Sequence, residues 1–188
     1  MSRIIAGSFK GRRLASVPHD GTRPTSDRVK ESLFSRLEGY DAIVDAVVVD
    51  LFAGSGALGL EALSRGARSA ELVDKGEAAV RTMKRNAAQV GVVDGSPPQA
   101  TVTKADAAKY LRARSGPPIE LLFLDPPYAF SAKELTQVLA SAGEQLHPAA
   151  TVVVERDARS GEPEWPAGLE LFHDRSYGTT HVWLAEPE

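Results

Sequence analysis

The chain's 188 residues are enough for one domain with a sizeable core, and 43% hydrophobic with 25% charged residues is the balance of a globular protein rather than a disordered one. Having no cysteine, it excludes disulfides, thiolate zinc sites and cysteine nucleophiles. The net charge of −3 is unevenly placed: residues 1–36 hold eight Lys/Arg against three acidic residues, a net of +5, which leaves −8 for the rest.

A basic end on an acidic body suits an appendage that docks an anionic polymer, although a solvated basic face gives the same counts. The opening residues lack the long apolar stretch of a secretion signal and no later run approaches a membrane span, so the cytoplasm is the expected location. Arg3-Ile4-Ile5-Ala6-Gly7 and Arg13-Leu14-Ala15-Ser16-Val17 are short apolar runs around the turn-rich Gly7-Ser8-Phe9-Lys10-Gly11. They predict a β-hairpin whose tip carries Phe9, Lys10, Arg12 and Arg13. This hairpin is expected as an extension over residues 1–22, with one larger domain over 23–188. Arg23-Pro24-Thr25-Ser26-Asp27 then starts a helix: proline bars helix before it, Ser26 or Asp27 caps it, and Val29, Leu33, Phe34 and Leu37 form one stripe up to Gly39.

Strands and helices alternate from Val47 onward. Val47-Val48-Val49-Asp50 reads as a buried strand, and Gly54, Gly56 and Gly59 make a GxGxxG turn into a helix stopped by Gly66. A strand ending at Asp74 and a helix over Glu77–Val90 follow, with Val80, Met83, Ala87 and Val90 at helical spacing before Gly91. A strand near Ala100–Val102 leads to Asp106 and a short helix to Arg112. After Glu120-Leu121-Leu122-Phe123-Leu124-Asp125, another buried strand, come a helix about Lys133–Gln145 and the strand Thr151–Glu155. Leu169–Phe172 and Thr180–Leu184 have no helix between them, and Tyr177-Gly178 supplies the turn of an antiparallel hairpin. The expected fold is α/β, a mostly parallel sheet closed by a terminal hairpin.

The glycine turn alone signals only a close approach of backbone to ligand, or a strand–helix turn that needs small residues. Asp50 narrows the choice. A carboxylate just before the glycines repels a dinucleotide pyrophosphate but suits a ligand bearing an ammonium and a sulfonium. Asp74, twenty residues past Gly54, stands where an acidic side chain takes the ribose hydroxyls of an adenosine, and fits a nicotinamide dinucleotide or S-adenosylmethionine equally. His19, His147, His173 and His181 are scattered without ligand spacing, so no metal is expected. Ser55 lacks the GxSxG setting of a nucleophile.

Asp125-Pro126-Pro127-Tyr128 decides the chemistry. Prolines stiffen the backbone and remove its donors, leaving a carboxylate, a row of carbonyl acceptors and an aromatic ring at the sheet edge where α/β ligands bind. An amine on an aromatic ring fits: its two N–H groups meet Asp125 and the Pro126 carbonyl while Tyr128 stacks on the ring.

The glycine turn and this motif together resemble the amino-methyltransferases that use S-adenosylmethionine. The blocks Arg3–Gly7, Gly11-Arg12, Arg23–Glu31, Asp50–Ala67 and Asp125–Tyr128 resemble more closely the RsmD-type 16S ribosomal RNA guanine-N2 methyltransferases. The similarity covers almost the whole chain, and the Arg23–Glu31 block is specific to that family. The resemblance implies a Rossmann-like class I fold with a seven-stranded sheet, and methylation of one guanine of 16S ribosomal RNA presented by an assembled or nearly assembled small subunit; a monomer is expected. It implies that Asp50, Gly54 and Gly56 hold the methionine end of the cofactor, with Phe52 among the cofactor residues, Asp74 the ribose and Asp106 the adenine amino group. By the same resemblance Asp125, Pro126, Pro127 and Tyr128 hold the target base; Lys10, Arg12, Arg13 and Arg23 are expected to meet RNA on the ground of the basic N-terminal segment's charge. One departure is visible: Gly76 stands where the family usually has a second acidic residue, two positions after Asp74. Rival readings are an adenine-N6 methyltransferase on DNA or RNA, a nicotinamide oxidoreductase, and a ribosome-assembly factor without turnover.

Overall fold

The computed structural model describes residues 2–18, 26–93 and 95–188. Nine strands and five helices follow in chain order among these residues: β1 (Ser2–Arg3), β2 (Arg13–Leu14), α1 (Asp27–Gly39), β3 (Val47–Asp50), α2 (Ala57–Ser64), β4 (Ser69–Asp74), α3 (Glu77–Val90), β5 (Gln99–Lys104), α4 (Ala107–Ala113), β6 (Ile119–Leu124), α5 (Ala132–Gly143), β7 (Leu146–Asp157), β8 (Leu169–Tyr177) and β9 (Thr180–Pro187). The seven longer strands form one sheet in the order β5-β4-β3-β6-β7-β9-β8. β3 to β7 run parallel, and β9 runs antiparallel to both β7 and β8. The chain winds from β3 outward to β5 and then crosses to β6, so the crevice opens between β3 and β6 at their carboxyl ends.

Strand alternation sorts the core into two layers. Val48, Leu121, Phe123 and Val153 face α1, α2 and α3, whereas Val49, Leu122, Leu124, Val152 and Val154 face α4 and α5. Helix limits follow local chemistry. Ser26 caps α1 by accepting from Val29 N–H at 3.3 Å, and Gly91 ends α3 in the left-handed region at φ 76°. No helix among the described residues is long and apolar enough to cross a membrane.

Two strands exceed their expected length. β7 begins at Leu146 rather than Thr151: Leu146 pairs with Ile119, the register with β6 shifts between Ile119 and Leu121, and the exposed His147, Pro148 and Ala149 are carried into the strand. The terminal hairpin continues to Tyr177 along the sheet edge, where one face needs no apolar residues.

The N-terminal hairpin pairs over only two residues per strand, Ser2 with Leu14 and Arg3 with Arg13. Ile4 N–H also donates to the Arg12 carbonyl at 2.9 Å and Gly11 N–H to the Ile4 carbonyl at 2.9 Å, while several of the remaining backbone groups bond to helix side chains. Ile5 and Ala6 N–H donate to the Glu61 carboxylate at 2.8 and 3.1 Å, and Phe9 N–H donates to Ser64 Oγ at 2.9 Å. Asn86 brackets Ala15, accepting from its N–H at 2.9 Å and donating to its carbonyl at 3.0 Å. Gly7 comes so close to α2 that an added Cβ would lie 1.8 Å from the Ser64 carbonyl oxygen, and its φ is +79°. Ile4 and Leu14 are buried in the same layer as α1 and α2.

Glu61 holds this side together. It also accepts from Arg65 Nε at 2.9 Å and pairs with Lys30 Nζ at 3.5 Å, both acid and lysine being buried. Burial lowers the Lys30 pKa, and Glu61 opposes that shift. Lys30 donates to the Arg3 carbonyl at 2.5 Å, while Arg65 reaches on to Glu31 at 2.6 Å and Glu38 at 3.1 Å. Removing one partner of a buried pair leaves an uncompensated charge, which costs about 3–5 kcal/mol. Glu61→Ala is therefore expected to lower unfolding free energy by about that amount in urea titration. A variant within about 0.5 kcal/mol of the parent would show that the pair contributes nothing net.

Candidate active site

The carboxyl ends of the parallel strands bring the acidic residues together. Asp50 ends β3 with 1% of its surface exposed. Neither of its oxygens has a hydrogen bond of ordinary geometry among the described residues. Burial pushes its pKa up to about 7; the N–H groups of Gly59 and Phe52 lean towards the carboxylate and draw it down, while Asp74 and Glu155 raise it further. Immediately after it the chain turns through Gly54 and Gly56 at φ +55° and +81°. That conformation lets α2 start with its backbone N–H groups directed at the crevice.

Asp74, at the end of β4, braces this turn. One oxygen accepts from Gly54 N–H at 3.0 Å and the other from Gly76 N–H at 2.8 Å. Gly76, the position that departs from the family pattern, thus serves as a backbone donor to Asp74. Asp106 is exposed and caps α4, accepting from Lys109 N–H at 3.1 Å. Phe52 packs edge-on against Phe130 with ring centres 5.0 Å apart, which joins the glycine turn to the loop after β6.

That loop is Asp125-Pro126-Pro127-Tyr128. Asp125 keeps some solvent access, yet burial raises its pKa well above the usual carboxylate range, and Glu155 and Asp50 add to the shift. The loop is fixed from two sides: Phe130 N–H donates to the Pro127 carbonyl at 2.8 Å, and Arg156 Nη2 donates to the Phe130 carbonyl at 2.9 Å. Tyr128 is 76% exposed at the mouth. Two buried carboxyl groups with raised pKa values beside an exposed aromatic ring can ionise against a cation and accept hydrogen bonds from a planar amine.

Glu155 and Arg156 escaped the sequence reading. Both stand near the end of β7, and the available signal was that an acidic residue closes each neighbouring parallel strand. Of the other residues, Lys10, Arg12 and Arg13 are exposed on the hairpin, with Arg12 donating to the Gln89 carbonyl at 3.1 Å and lying over the Phe9 ring. The hairpin tip rests on Ser64 and Gln89, at the carboxyl ends of α2 and α3, which feed into the starts of β4 and β5. It therefore lies at the opposite edge of the sheet from Asp50 and Asp125. Arg23 and His19 lie outside the described residues. His147 accepts from Ala149 N–H at 3.1 Å, and His181 bonds Ser176 and Asp174, each at 2.7 Å. Among the described residues no cluster of three or more His, Asp or Glu side chains could hold a metal ion.

Strand order, terminal hairpin and a glycine turn facing an Asp-Pro-Pro-Tyr loop define a class I methyltransferase fold. A solved structure described as the putative methyltransferase yhhF from Escherichia coli superposes with a TM-score of 0.83 at 36% identity, covering 99% of this chain and 97% of that one. The family model described as Conserved hypothetical protein 95 matches residues 2–186, and the chain belongs to that family. Ribosomal RNA small subunit methyltransferase D of Escherichia coli K12 is 38% identical over 99% of this chain and 90% of its own length. The putative rRNA methyltransferase YlbH of Bacillus subtilis is 35% identical over 96% of both.

The raised pKa of Asp50 makes a pH-dependent stability test. A carboxyl group held above its ordinary value of 3.8 contributes stability that is complete below that value and is lost as pH rises through about 7. Ligand-free protein should therefore lose stability across that window, by about 1.4 kcal/mol per pKa unit at most. Asp50→Asn should flatten the profile and be the more stable form at about pH 8. Parallel pH profiles for the two proteins in thermal unfolding would contradict the assignment.

Proposed function

We propose that this protein transfers a methyl group from S-adenosylmethionine to the exocyclic N2 of a guanine in small-subunit ribosomal RNA, acting as a monomer in the cytoplasm without a metal. The observation that supports it most is the buried Asp50 carboxyl group, lacking ordinary hydrogen bonds, one loop away from Asp125 and Tyr128. Such a group favours a cationic ligand, and the ammonium and sulfonium of S-adenosylmethionine match it where a pyrophosphate does not. In this reading Asp50, Phe52, Gly54 and Gly56 hold the methionine end, Asp74 the ribose and Asp106 the adenine.

When bound, S-adenosylmethionine supplies a methyl group on a good leaving group. The chain's own residues do the positioning, which sets the effective molarity of an in-line transfer. Tyr128 stacks on the guanine once it has left its own stack. The Asp125 carboxylate and the Pro126 carbonyl take the two amine hydrogens, pointing the nitrogen lone pair at the methyl group. After transfer the nitrogen sheds a proton; Asp125, with its raised pKa, is a stronger base than an ordinary carboxylate and can take it, as can water. The relatives' names favour ribosomal RNA over DNA as the substrate.

Labelled methyl donor, immature small subunits and a chelator test the reading, with the modified nucleotide mapped afterwards. Asp125→Ala should cut turnover more than about a hundredfold with donor affinity nearly intact, and Tyr128→Phe should be mild. Label on adenine N6, or a substantially active Asp125→Ala enzyme, would overturn it.

The hairpin of residues 1–22 enters this proposal as an RNA-docking extension, with Lys10, Arg12, Arg13 and Arg23 on phosphates. Changing Lys10, Arg12 and Arg13 to alanine should flatten the salt dependence of particle binding by roughly one unit of slope per contact. Parental binding across a salt series would leave the hairpin a structural element only.

A further inference from the structure

Asp50, Asp74, Asp125 and Glu155 make the carboxyl edge of the sheet acidic, and an RNA strand that delivers a base there brings its phosphates towards that charge. The basic tip of the hairpin, with Lys10 and Arg12, lies at the other edge, roughly 15–20 Å away across strands of this length, beyond the Debye length at physiological salt. A cation at the mouth itself is needed.

The end of β7 supplies one. Beyond Asp157 the chain makes a short turn, Ala158–Ser160, tied to the β8–β9 turn by Ala158 N–H donating to the Thr179 carbonyl at 2.8 Å. The Asp157 carboxylate accepts from the Arg159 backbone N–H at 2.9 Å, from its Nε at 2.9 Å and from its Nη2 at 3.1 Å. The Arg159 side chain nevertheless stays 79% exposed, and its guanidinium carbon lies 5.9 Å from the centre of the Tyr128 ring. So exposed an ion pair adds little stability, and restraining a long side chain costs entropy.

Its geometry has a use. A guanidinium has five N–H donors in one plane, and Asp157 takes the pair on the Nε edge. The two N–H groups of Nη1 and the second one of Nη2 have no partner among the described residues and face away from Asp157. Held along one edge, the group presents the other as a ready fork for two oxygens of a phosphate.

We propose that Arg159 binds the RNA phosphate next to the target nucleotide, at the mouth where the base descends onto Tyr128. This rests on the RNA methyltransferase reading above. Asp157 is then a positioning residue that holds the fork in place before RNA arrives.

The test measures methyl transfer to immature small subunits by the parent, Arg159→Ala and Arg159→Lys over a salt series, with donor affinity taken by calorimetry. Arg159→Ala should raise KM for the particle roughly tenfold, the scale of one charge-assisted contact. Its log kcat/KM should fall less steeply with log salt, by somewhat under one unit of slope, as expected for one lost phosphate contact. Donor affinity should not change, and Arg159→Lys should recover most of the loss because a phosphate accepts a point charge. Parental KM and salt slope in Arg159→Ala would overturn the proposal, and so would a fall in kcat alone at unchanged slope. A parent that labels no RNA in the particle would overturn the function itself, and this is seen before any variant is compared.

Discussion

The buried carboxylate of Glu61 is the interaction on which the rest of the architecture leans. It is fully buried and still fully engaged, by two backbone N–H groups of the hairpin, the Arg65 guanidinium and the Lys30 ammonium. A charge at that depth is tolerable only with such company. Through it the first residues, α1 and α2 become one body, and Lys30 extends the grip to the Arg3 carbonyl. Arg65, stacked over Phe34 and reaching Glu31 and Glu38, carries the same network to the far end of α1.

Asp50 is equally withdrawn from water and lacks such company. The contrast separates a structural carboxylate from one whose burial the fold leaves without ordinary hydrogen bonds, as the proposed ligand site requires. Its pKa near 7, like the raised pKa of Asp125, records electrostatic cost that the fold bears at one sheet edge. The cost is confined there because parallel strands end side by side, so each strand-end acid is a neighbour of the next. Glu155 belongs to that set, and its charge adds to the burial that raises the Asp125 pKa.

In the proposed reading the same edge admits a polyanion. Arg156 and Arg159 follow Glu155 within four residues, so one strand end supplies both the acid that tunes Asp125 and cations beside Tyr128. Arg156 stiffens the Asp-Pro-Pro-Tyr loop from behind, and Arg159 stands in front of its ring. The relatives' methyltransferase names and the superposition agree with a site built from loops on a rigid sheet.

The sequence by itself determined the local grammar. Near-continuous apolar runs in β3 and β6, the helical spacing of Val80, Met83, Ala87 and Val90, and glycines at 54, 56 and 91 each act within a few residues, so the elements and the glycine turn were legible. Strand-end Asp50, Asp74 and Asp125 were legible for the same reason, since a parallel α/β sheet places strand ends at one edge. Only the tertiary structure decided the rest. Nothing in the local pattern around Lys30 and Glu61 marks them as buried, and packing removes both from water. The hairpin strands looked longer because pattern cannot foresee Glu61 and Asn86 taking their backbone groups from more than fifty residues away. The basic tip was read as part of the docking face, yet its place at the far edge follows from where α2 and α3 end. Arg159 meets Tyr128 across thirty-one residues of chain. A charge reveals its role only through its desolvation and its partners, and both are properties of the packed chain rather than of neighbours in sequence.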